Sequence, residues 1–76
     1  MPHVIVKLYS GRSEQQKTAL AAALTRAVVD TLGSAEESVS VAIEDIPPRD
    51  WTEQVYKPDI IAKPHAIYKK PGYDPR

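Results

Sequence analysis

The chain has 76 residues, ten basic and ten acidic side chains, a formal net charge of zero and no cysteine. That length admits one domain with a small core, and the missing thiols exclude disulfide staples and thiolate metal sites. Zero net charge argues against a general nucleic-acid binder, whose affinity rests mainly on neutralised phosphates, and no apolar run approaches the ~20 residues that span a membrane.

The first element is a strand. In HVIVKLY, Val4, Val6 and Leu8 point to one face, while His3, Ile5, Lys7 and Tyr9 point to the other. Ser10-Gly11 closes it with a turn signal. The opening run is short and alternating and lacks a basic start, so no leader is expected and the protein is read as cytoplasmic. Pro2 precedes the strand. Initiator methionine is normally removed when the next residue is small, and the mature chain then begins with a secondary amine. A free amino terminus titrates near ~8. Apolar surroundings and a nearby cation both disfavour the ammonium and bring the group toward a working base. Position alone leaves Pro2 either a reactive amine or an accident of translation.

The second element is a helix over EQQKTALAAALTRAVVDTL, which contains neither Gly nor Pro. Ser13 and Gln16 fit a capping box, and Glu14 sits where negative charge is favoured. Leu20, Leu24, Ala27, Val28, Thr31 and Leu32 recur at helical spacing, and Gly33 stands where a left-handed cap belongs. A second strand is predicted over residues 38–44, with Val39, Val41 and Ile43 facing the helix. Strand, helix and strand with short loops give a β-α-β unit, class α/β (α+β), with parallel strands and a right-handed crossover.

Pro47-Pro48 ends the second strand, and Asp50 with Glu53 suggests a short helix from Trp51. In the tail, Pro58-Asp59 and Pro64-His65 are each expected to begin a short helical turn. The whole chain, 1–76, reads as one domain, with a core of about residues 2–46 and an extension over about 47–76. Two strands and one helix leave one sheet face uncovered, and a two-stranded sheet is not independently stable. Assembly is therefore expected, with any cleft at subunit contacts.

Few side chains carry chemistry. Arg12 either returns toward a neighbour's site, where its fork suits a carboxylate, or faces solvent. Trp51, the only tryptophan, either walls an apolar pocket or seals a subunit contact. Tyr56 is ambiguous in the same way. His3 reads as structural or interfacial, and His65 has no assigned role. The two histidines make a poor metal signature, and no metal is expected. Hydrolase, P-loop and dinucleotide fingerprints are absent.

The initial Met-Pro, the strand, Gly11-Arg12-Ser13, a helix opening in EQQK and the strand segment Ser38-Val39-Ser40-Val41 together resemble the 4-oxalocrotonate tautomerase family. Trp51 and Lys69-Lys70-Pro71-Gly72-Tyr73 look like its PptA-like branch. The resemblance implies β-α-β units assembled as dimers, or as hexamers of dimers, that interconvert keto and enol forms without a metal or organic cofactor. It implies Pro2 as the general base, Arg12 as carboxylate anchor, usually in a neighbouring subunit's site, and Trp51 as a pocket wall that keeps the amine weakly basic. One position departs: Ser40 stands where the family's type member has a second arginine. Losing a charge-assisted contact costs on the order of 1.5–3 kcal/mol. A monoacid enol such as phenylenolpyruvate is therefore expected in place of a diacid such as 2-hydroxymuconate. Arg49, Lys57 and Lys63 are cations able to replace the charge, though no pattern places them in the site. The longer tail favours a dimer. Two other readings stay open: an acid role for Pro2 in hydration or dehalogenation of an unsaturated acid, helped by Glu44 or Asp45, and a non-catalytic oligomeric subunit that binds a small ligand.

Overall fold

The computed structural model describes residues 1–76. Strand β1 (His3–Tyr9) leads into helix α1 (Glu14–Leu32) and then strand β2 (Ser40–Ile46). The two strands form a parallel sheet in the register His3 opposite Ser40, Val6 opposite Ile43 and Tyr9 opposite Ile46. The β-α-β unit read from the sequence is the unit found.

Helix α1 starts and stops where its capping residues dictate. The Gln16 N–H donates to Ser13 Oγ at 3.0 Å, and the Ser13 N–H donates to Gln16 Oε1 at 3.0 Å. Gly33 adopts φ 70°, and its N–H closes on the Val29 carbonyl at 3.0 Å. The packing is looser than the pattern implies. Leu20, Leu24 and Val28 are half-buried, whereas Ala27, Thr31 and Leu32 are exposed, and the helix buries no residue fully.

β2 begins two residues later than predicted and runs to Ile46. The cause is local: Glu36–Ser38 forms a 3₁₀ turn, with the Ser38 N–H and hydroxyl both donating to the Ala35 carbonyl. Ser38 is thereby withdrawn from the ladder.

The larger difference lies in the tail. A 3₁₀ turn at Pro48–Asp50 leads into one continuous wide helix, Thr52–Ile61, that passes through Pro58 instead of restarting there. The expected Asp50 cap is not made, since no side chain caps this helix. Its hydrogen bonding is of the π type, with the Ala62 N–H reaching the Lys57 carbonyl five residues back at 3.0 Å. In an α-helix a proline ring strikes the carbonyl four residues earlier, and the wider turn gives Pro58 room. Pro64–Ala66 forms the expected separate turn.

α1 lies on the sheet face of Val4, Val6 and Leu8, where Lys17 of α1 meets Asp45 of β2 at 2.9 Å. The wide helix lies on the other face, where Lys7 of β1 meets Asp59 at 2.5 Å. Asp59 and, across the ladder, Glu44 hold the Lys7 ammonium above its usual pKa. The buried side chains are Ile46, Val55 and Tyr56, so the core sits where the end of β2 meets the tail and not beneath α1.

That core is incomplete. A compact monomer of this mass exposes about 4,600 Å², whereas this chain exposes 5732 Å². Its radius of gyration is 13.9 Å, against about 11 Å for a compact chain of this length. Ile5, Tyr9, Leu32, Ile61, Tyr68 and Tyr73 are all exposed.

Candidate active site

Parallel pairing places both strand heads at one end of the sheet and both strand ends at the other. Pro2 and Ser40 share the first end. The Ser40 N–H donates to the Pro2 carbonyl at 3.1 Å, which fixes the proline backbone against β2. Pro2 is half-buried, while Met1 is fully exposed. With Met1 attached the Pro2 nitrogen is an amide, so a basic amine exists only once the methionine is gone.

Ser40 and His3 are directly opposed in the ladder, and His3 Nδ1 lies 2.6 Å from Ser40 Oγ. The position that departs from the family pattern therefore carries a neutral hydroxyl held by a ring. His3 gains a defined partner that sequence reading did not supply. Its signal was register: two exposed polar residues at matched strand positions face each other once the strands are known to be parallel.

Arg12 and Trp51 stand at the opposite end. Arg12 follows the turn after β1, is exposed, and lines a shallow cleft of about 300 Å³ with Leu8, Gln16, Lys17 and Leu20. Lys17 in that cleft is already committed to Glu14 and Asp45, each at 2.9 Å, which raise its pKa. Arg12 makes no ion pair and is the cation left free there for an anion. Trp51 packs edge-on against Tyr9, with ring centroids 5.1 Å apart and planes at 80°. Together with Ile5, Lys7, Val55, Asp59, Ile60 and Lys63 it lines an open cavity of about 410 Å³ on the sheet face opposite α1.

Within one chain, then, Pro2 and Ser40 come together, and Arg12 and Trp51 do not join them. From Pro2 to Tyr9 the strand runs roughly 23 Å, at about 3.3 Å per residue. Of the tail cations, Lys57 pairs with Glu53 and Lys63 lines the Trp51 cavity, while Arg49 lies in the turn after β2. None of the three sits beside Ser40 in the same chain. Tyr56 is buried and belongs to the core. No helix is long and apolar enough to cross a membrane.

Comparison with known proteins agrees with this architecture. The profile of the tautomerase enzyme family matches residues 2–55. A probable tautomerase of Xylella fastidiosa is 48% identical over 73 residues, covering 96% of this chain and 89% of its own length. Tautomerase PptA of Cronobacter sakazakii is 39% identical over 75 residues, covering 97% and 99%. Among solved structures, TomN, a 4-oxalocrotonate tautomerase homologue of the tomaymycin biosynthetic pathway, superposes with a TM-score of 0.65 at 46% identity over 66% of this chain and 77% of its own. A protein studied for trans-3-chloroacrylic acid dehalogenase activity superposes at 0.62 with 26% identity, over 64% of this chain and 92% of its own. The chain belongs to the tautomerase family, and it is an isomerase of the 4-oxalocrotonate tautomerase fold.

Proposed function

We propose that this chain, once Met1 is removed, is a cofactor-free keto–enol tautomerase that uses the Pro2 amine as its general base. The neutral amine takes the hydroxyl proton of a small enol acid, and a proton is returned to carbon, leaving the keto acid. The observation that carries the reading is the seat of Pro2 in a chain of this family. Its carbonyl is tied to Ser40, while its nitrogen heads β1 and has no ladder bond to make.

Arg12 is the proposed carboxylate anchor and Trp51 the proposed wall, both supplied by a neighbouring subunit, since each stands at the far end of its own chain. The excess exposed surface of about 1,100 Å² over a compact monomer supports such assembly, because a standard interface takes about 800 Å² from each partner. The tail over the second sheet face favours a dimer. Ser40 is neutral and bonded to His3, and the two lysines beside Trp51, Lys7 and Lys63, are paired with Asp59, which leaves Arg12 as the one unpaired anchor. This favours a monoacid enol with an aromatic or apolar body, of which phenylenolpyruvate is the example.

The test is phenylenolpyruvate ketonisation by protein whose intact mass lacks Met1. A rate well above buffer that collapses in Pro2→Ala supports the proposal, and full activity in Pro2→Ala refutes it. The dehalogenase-active relative favours one second reading, in which a protonated Pro2 serves as acid. That chemistry needs a carboxylate to activate water. Asp45 is spent on Lys17, and Glu44 lies toward the far end of β2. A pH–rate profile separates the two, since a base loses activity as pH falls and an acid loses it as pH rises.

A further inference from the structure

The tail beyond residue 55, outside the span matched by the family profile, closes on the candidate pocket wall. Trp51 Nε1–H donates to Tyr73 Oη at 3.0 Å. Tyr73 packs on the buried Tyr56, with ring centroids 5.8 Å apart. Arg76 lies over the other partner of that pair, its guanidinium carbon 5.3 Å from the Tyr56 centroid. Asp74 holds Arg76 through three contacts: its Oδ1 accepts from the Arg76 N–H and Nε–H at 3.0 Å each, and its Oδ2 accepts from Nη2–H at 2.9 Å. Tyr9 also packs edge-on against the indole.

An indole has one polar group, its N–H. Here that group is spent on the tail. What remains of Trp51 for the pocket is ring carbon, with no donor for a second polar end of a ligand.

We propose that Tyr73 is a positioning residue that determines specificity. It turns the Trp51 N–H away from the pocket and fixes the ring, so the wall accepts an aromatic or apolar substrate body and offers nothing to a second carboxylate. The inference rests on the assignment of Trp51 as pocket wall in the proposed tautomerase, and its test has a readout independent of activity. Trp51 is the only tryptophan, so tryptophan emission reports the surroundings of this one side chain.

Tyr73→Phe keeps the ring on Tyr56 and removes only the acceptor, while Tyr73→Ala removes both. In Tyr73→Phe, emission is expected to shift and acrylamide quenching to rise, with far-UV circular dichroism unchanged. The KM for phenylenolpyruvate is expected to rise about fivefold, the effect of one net hydrogen bond, with kcat held within about twofold. The preference for phenylenolpyruvate over 2-hydroxymuconate narrows by the same factor. Unchanged emission and quenching in Tyr73→Phe overturn the clasp, and an optical change without a KM change overturns its role in specificity. An effect seen only in Tyr73→Ala overturns the role of the hydrogen bond. If the parent ketonises neither enol, the proposed activity fails, and with it the specificity role. The optical result still decides the contact.

Discussion

Returning the family's second arginine is the sharpest perturbation of the proposed site. Ser40 is exposed in β2, and its hydroxyl has one partner, His3 Nδ1 at 2.6 Å. Ser40→Arg removes that exposed contact, worth about 0.5 kcal/mol at the low end for a hydrogen bond. In a chain of this size the cost is a fall of about 3 °C in Tm. The gain depends on how dry the assembled cleft is. A charge-assisted contact shielded from water is worth about 1.5–3 kcal/mol, a factor of about 10 to 140 at about 1.4 kcal/mol per decade. The same pair left in solvent is worth about 0.2–1 kcal/mol, at most about fivefold. The measurement is kcat/KM for 2-hydroxymuconate against phenylenolpyruvate in both proteins at fixed salt and pH. A rise of more than about tenfold in the diacid-to-monoacid ratio, mostly through KM, is the expected result. A ratio moving by less than about twofold, with Tm held within a few degrees, would refute both the closed cleft and the reading of Ser40 as the cause of monoacid preference.

Two further outcomes follow from local geometry. Ser13→Ala removes the acceptor of the Gln16 N–H just after Arg12 and is expected to cost about 1 kcal/mol, or about 6 °C of Tm. A melt followed by circular dichroism at fixed protein concentration reads it, and an unchanged Tm would show that the cap contributes nothing. Arg76 holds the Asp74 carboxyl down to a pKa of about 2, first by the side-chain hydrogen bonds and then by the backbone one. The folded value lies below the ordinary one, so the contribution of this pair is complete above pH ~4 and is lost as pH falls through about 2. A carboxyl-carbon NMR titration should give that midpoint in the parent and a clearly higher one in Arg76→Gln, which loses the side-chain contacts and keeps the backbone one. Equal midpoints would sink the pairing.

The parts of this structure that were legible in the sequence are those held by neighbours in the chain. Ser13, Gln16 and Gly33 mark both ends of α1 because capping acts within one turn. Alternation found both strands, but β2 slid by two residues because Ser38 bonds backward to Ala35, a choice the hydrophobic pattern does not record. Pro58 misled the reading of the tail. The rule that proline starts a turn assumes an α-helix, and the tail adopts a wider one. The ends of the sheet were readable in principle. Parallel strands put Pro2 and Ser40 at one end and Arg12 and Trp51 at the other, whatever the packing. Contacts between distant residues, Trp51 with Tyr73 and Tyr9 and Lys7 with Asp59, leave no local trace. They appear only once the tail is laid against the sheet.

The separation of Pro2 from Arg12 along β1 also has a genetic consequence. On the proposed assignment each site draws its base from one chain and its anchor from another. A chain lacking Pro2 still carries a sound anchor, and a chain lacking Arg12 still carries a sound base. Co-expressed, two individually dead alleles would complement: in a mixed dimer one site inherits both intact halves and the other inherits both lesions. An allele with one substitution, mixed with the parent, would instead damage one site of a mixed dimer and spare the other, and an allele carrying both substitutions would damage both sites, each through a different missing half. The arrangement of two strand ends thereby decides which alleles are recessive and which pairs rescue each other.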